Sequence, residues 1–113
     1  MASVVHADPG AVIRGRAETY GRAADGAPRR LALDASCKWG AGGYLSSVAD
    51  LVRFYLGITG GKLLSPPMAA LVLGADADGS LRFGGASEGG RSLVSGNVRE
   101  GLFVAIAANE RAE

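Results

Sequence analysis

The sequence predicts an α+β domain: a three-stranded antiparallel sheet with two helices and an N-terminal β-hairpin. Three observations carry this reading. Apolar residues recur at helical spacing after Ser47, the pattern turns strand-like beyond Gly74, and Ala24-Asp25-Gly26 forms a turn signal between two short extended runs. A length of 113 residues suits one domain. Residues 1–12 read as a flexible N-terminal tail and 13–113 as the single folded unit.

Each element follows from local chemistry. Ala17 to Arg22 and Arg29 to Leu33 flank an Asp-Gly turn and read as a polar, exposed hairpin. Trp39-Gly40-Ala41-Gly42-Gly43-Tyr44 is too rich in glycine for a regular element and reads as a tight loop. Ser47 is an N-cap with Asp50 three residues on, and Val48, Leu51, Val52, Tyr55 and Leu56 follow at helical spacing, ended by Gly57 and the Gly60-Gly61 pair. Ser65-Pro66 opens a second, short helix that Gly74 stops after Leu73. Strands are expected around Leu81 to Phe83, Arg91 to Ser95 and Leu102 to Ala108, the last two joined by a short turn as a hairpin. The Leu102 to Ala108 run is apolar at every position, so it reads as a strand covered on both faces, more than two short helices in one layer can provide. Self-association through the edge of this strand is therefore expected, as a homo-oligomer.

Composition narrows the function. Twelve Lys and Arg balance eleven Asp and Glu, which predicts neither a nucleic-acid partner nor a charged membrane surface. The apolar runs fall far below the roughly 18 residues of a membrane span, and the N-terminus lacks a basic, then apolar, secretory pattern, so a cytoplasmic location is expected. With one cysteine, Cys37, and one histidine, His6, no disulfide, metal site or cofactor site is expected.

The candidate chemistry centres on Gly85-Ala86-Ser87-Glu88-Gly89, which has the spacing G-x-S-x-G of a nucleophile elbow. An elbow needs a helix after the serine, whereas Gly90-Arg91-Ser92-Leu93-Val94 looks like a strand, so a glycine loop entering a strand is the plainer reading. His6 is the one imidazole available as a base, and the alternative is a minimal esterase built around Ser87, with His6 and Glu88 supplied by a second subunit, acting on a small ester. Neither lysine completes S-x-x-K, because Ala35 precedes Lys38 and Thr59 precedes Lys62 by three residues. Gly60-Gly61-Lys62 is followed by Leu63, not by the hydroxyl residue of a phosphate loop.

Several longer segments resemble a known family. Ser36 to Phe54 with its glycine loop and Asp50-Leu51-Val52-Arg53-Phe54, then Gly60-Gly61-Lys62-Leu63-Leu64-Ser65-Pro66, are similar to the serine β-lactamase and penicillin-binding-protein-like hydrolases. The branch is the one with β-lactamase-like esterases and mitochondrial β-lactamase-like protein. Phe83 to Leu93 resembles its F-G-H-T-G-G-x-x-G-G-R-S-L segment, and Gly101 to Asn109 its closing strand. The resemblance implies a partial β-lactamase-like fold, the C-terminal portion of a larger hydrolase. The family's nucleophilic S-x-x-K and its Y-x-N motif have no counterpart here, and Gly85-Ala86 stands where its basic residue followed by T-G would fall. What carries over is a pocket wall at Gly84, Gly85 and Ala86. The expectation is thus a non-catalytic, self-associating hydrolase-like domain, with a minimal serine esterase through Ser87 as the alternative.

Overall fold

The computed structural model describes residues 4–87 and 89–110, and they form a small α+β fold. The elements in chain order are β1 (Val5–His6), β2 (Thr19–Arg22), β3 (Pro28–Leu31), a 3-10 turn (Trp39–Ala41), β4 (Tyr44–Leu45), α1 (Val48–Thr59), α2 (Pro66–Leu73), β5 (Ser80–Ser87), β6 (Gly90–Asn97) and β7 (Leu102–Ala108). The strands make three antiparallel sheets: β1 with β4, β2 with β3, and β5-β6-β7.

Local signals set the helices. Ser47 Oγ accepts the backbone N–H of Asp50 at 3.1 Å, satisfying one of the free donors at the start of α1. The fully buried Asp50 carboxylate accepts from the Arg53 guanidinium at 2.9 Å and lies in the first turn, where the helix dipole favours negative charge. Pro66 starts α2, and Gly74 closes it in the left-handed region at φ 53° that an L side chain rarely adopts.

Gly57, expected to help end α1, instead lies inside it, and the helix runs on to Thr59. The missing side chain gives Leu63 room to fold back, its Cδ1 lying 3.2 Å from where a Cβ would stand, while the Gly57 carbonyl accepts from the N–H groups of Lys62 and Leu63. Packing across the turn thereby offsets the roughly 1 kcal/mol that glycine costs in a helix.

The core lies between the two helices and one face of the β5-β6-β7 sheet. Ile58, Ala69, Leu73, Leu81 and Phe103 are its buried members, with Val52, Tyr55, Leu64, Ala75 and Val98 packed around them. Three of the seven aromatic residues, Tyr55, Phe83 and Phe103, meet here. The Tyr55 ring stacks on both Phe83 and Phe103, with centroids 5.8 Å away in each case, and so joins α1 to the first and last strands of the sheet.

The other sheet face is open. Strand alternation and register put Arg82, Gly84, Ala86, Arg91, Leu93, Val104, Ile106 and Ala108 on the side away from α1. Leu102, Val104 and Ile106 are 62%, 54% and 59% exposed, so within the chain β7 is covered on one face only, as expected of two short helices in one layer. The helices form a single layer, and one layer covers one side of a strand.

Two glycine-rich segments take more regular structure than expected. The strand expected at Leu81 to Phe83 extends to Ser87, because the glycines of Gly84-Gly85 still supply backbone groups to the ladder with Leu93 and Ser92. The loop expected from Trp39 to Tyr44 holds a 3-10 turn and the start of β4. Here Gly43 is needed for close approach: a Cβ would stand 2.7 Å from the Lys38 carbonyl oxygen, to which the Gly43 N–H donates at 2.6 Å.

The β2–β3 hairpin forms around the expected Asp-Gly turn and is not merely exposed. The Tyr20 N–H donates to the Asn109 carbonyl at 2.9 Å, the Asn109 side-chain amide donates to Glu18 O at 2.9 Å, and Arg22 pairs with Glu110 at 2.6 Å. These contacts dock the hairpin beside the end of β7.

Candidate functional site

Ser87 is the last residue of β5 and pairs with Gly90 across a two-residue turn, so the chain passes from strand to strand. The strand-to-helix geometry of a nucleophile elbow is therefore absent at this serine. No helix N-terminus follows it to supply oxyanion donors. The exposed Ser87 Oγ donates to the Gly90 carbonyl at 3.4 Å, a long, weak contact with an acceptor that cannot take its proton. Gly89, in the turn, lies against Thr19 and Leu33 of the hairpin segment.

His6 sits elsewhere. Expected in a tail without order, it belongs to β1, directly opposite Tyr44. Its Nε2 lies 2.9 Å from the Ser36 carbonyl oxygen, which only an N–H can satisfy, so Nε2 carries the proton. The ring stacks on Trp39 with centroids 4.4 Å apart and meets Tyr44 edge-on at 5.8 Å. The hydrogen bond and ring contacts of this imidazole are with residues 36–44, whereas the Ser87 hydroxyl bonds to Gly90 O. Glu88, the third member of the alternative triad, lies outside the described residues.

Gly84, Gly85 and Ala86 do line a hollow. It has a volume of about 420 Å³, opens on the outer sheet face, and is bounded by Arg82, Arg91, Leu93 and Ile106 among others. Ser87 is not among its lining residues. A second hollow of about 480 Å³ lies between residues 9–13 and the hairpin, where Arg30 pairs with Glu18 at 2.8 Å. That hydrogen bond holds the Glu18 carboxyl below its ordinary range. The side-chain and backbone donors of Ser36 do the same for Asp34, another lining residue. Thr19, its one hydroxyl, donates to Leu31 O at 3.0 Å.

Among the described residues no group of three or more His, Cys, Asp or Glu side chains converges to hold a metal ion, and Cys37 is exposed. Among them also, no helix is long and apolar enough to cross a membrane.

Two features escaped the reading of the sequence. The His6–Trp39–Tyr44 cluster joins residues more than thirty positions apart, and no local pattern announces it. The two arginines of the outer-face hollow were within reach, because pairing Ser87 with Gly90 brings Ala86 opposite Arg91 and leaves Arg82 on the same face.

With this geometry in hand, comparisons with family models, with curated proteins and with solved structures find no match.

Proposed function

We propose that this chain is a non-catalytic α+β module, related to the serine β-lactamase and penicillin-binding-protein-like hydrolases, that acts by self-association in the cytoplasm. One observation carries the loss of catalysis. Ser87 and His6, the only serine and base that the sequence offers as a pair, are held by separate hydrogen bonds in separate sheets. An acyl-transfer site needs the nucleophile within hydrogen-bond reach of its base. The S-x-x-K, Y-x-N and K/H-T-G residues of the family are missing as well.

Self-association is supported by the edge position of β7. Among the described residues the strand pairs only with β6 along Leu102–Ala108, and on its other side the hairpin meets the chain just beyond it, at Asn109 and Glu110. A seven-residue apolar edge is a template for pairing with a second copy, and twofold closure satisfies both edges at once.

Two measurements test this function. A fluorophosphonate probe should leave the protein unlabelled, and nitrocefin and p-nitrophenyl acetate should not be turned over; labelling that disappears in Ser87→Ala would establish the minimal esterase instead. Sedimentation at micromolar concentration should give twice the 11.4 kDa chain mass. Val104→Lys, a charge on the free strand, should return the monomer. A wild-type chain that stays monomeric at every concentration excludes self-association.

A further inference from the structure

Beyond a row of Ser80, Asn97 and Leu102 at one end, the outer face of the C-terminal sheet is built as three rows running across the strands. Register aligns Arg82 with Ser95 and Val104, Gly84 with Leu93 and Ile106, and Ala86 with Arg91 and Ala108. The middle row is apolar and begins at a glycine, so the surface sinks at Gly84. The rows on either side each carry one arginine, and both arginines line the same hollow of about 420 Å³.

Charge and polarity point to one kind of occupant. Among the described residues, no Asp or Glu lines this hollow and no side chain forms a hydrogen bond or ion pair with Arg82. A guanidinium beside an apolar surface attracts an anion and offers a planar fork that matches a carboxylate. Leu93, Ile106 and Ala108 form the other wall, and Ile106 is 59% exposed as it stands. A multiply charged phosphate would leave that wall in water. A single carboxylate on an apolar body satisfies both halves.

We propose that this hollow binds a small apolar carboxylate, its anionic head on Arg82 at the Gly84 end and its hydrocarbon body against Leu93, Ile106 and Ala108. The site lies on the face of the sheet, whereas pairing between copies would use the edge of β7, so ligand binding and association are separate properties. Neither one requires a reactive serine.

The test is a titration of the full ¹⁵N-labelled chain with decanoate below its micelle concentration, followed by amide shifts. Saturable shifts centred on Gly84, Gly85, Leu93 and Ile106 are expected. Loss of one charged hydrogen bond should weaken binding about tenfold in Arg82→Gln. Arg82→Lys should recover part of that loss, and decanol, with the same chain and no charge, should bind at least about tenfold more weakly than decanoate. Arg82 is exposed, so Arg82→Gln should keep the wild-type urea midpoint and spectrum, which separates lost binding from lost folding. Absence of saturable binding, equal affinity for decanol and decanoate, unchanged affinity in Arg82→Gln, or shifts centred on Tyr55 and α1 would each overturn the proposal. Labelling by a fluorophosphonate, which would end the non-catalytic reading, leaves this result where it stands.

Discussion

Two serines with similar sequence credentials have opposite roles. Ser47 is held in an extended conformation and its hydroxyl accepts the Asp50 N–H, so it defines where α1 begins. Ser87 is exposed, and its one hydrogen bond is long. Ser47→Ala should therefore cost about 1 kcal/mol, the usual effect of losing an N-cap, and Ser47→Asp should restore most of it. Ser87→Ala should stay within about 0.5 kcal/mol of wild type, as surface changes away from such features do. Urea denaturation of the three variants measures both. A large loss in Ser87→Ala would reveal a buried group that depends on its hydroxyl. The capping role was legible in the sequence because it needs only residues three apart. The separation of Ser87 from His6 within the chain was not legible, since it depends on where His6 lies in space.

At the scale of the element, β7 shows how alternation divides one apolar run into two functions. Phe103 faces the helices and is 8% exposed, while Leu102, Val104 and Ile106 face outward. Composition alone makes these positions look equivalent. Phe103→Ala should cost about 3 to 5 kcal/mol, because it removes a ring that stacks on Tyr55 and leaves a cavity in a small core. Ile106→Ser, on the open face, should change stability by no more than about 1 kcal/mol. Thermal unfolding of the two variants decides this. Comparable losses would mean that the outer face is covered. The same alternation gathers Arg82, Gly84 and Arg91 on one side of the sheet, although Phe83, between the first two, turns its ring to Tyr55 of α1 on the other side.

Across the whole molecule, charge is tied to folding through carboxylates at the turns and the hairpin. Backbone and hydroxyl donors of Ser80 hold Asp78 below its ordinary range, the hydroxyl and backbone donors of Ser36 do so for Asp34, and the hydrogen-bonded Arg30 does so for Glu18. In each case the unfolded chain takes up the proton first as the pH falls. The stability they contribute is thus full above the usual carboxylate range near about 4 and is lost as the pH drops through it toward the lower folded values. The urea midpoint should be level from about pH 7 to 5 and fall toward pH 2, and Asp78→Asn should make that fall shallower. A midpoint independent of pH would show that these carboxylates contribute nothing. The sequence by itself determined both helices, the Ser47 cap, the Asp-Gly hairpin, the position of β7 and the absence of an S-x-x-K motif, because periodicity, caps, turns and motif residues act over a few positions. Tertiary structure alone decided that Ser87 and His6 stand apart, that Trp39 stacks on His6, that one sheet face stays open, and that two arginines share a hollow on it. Those outcomes depend on strand register and on which layer meets which face, and register is set by the pairing of distant backbone groups.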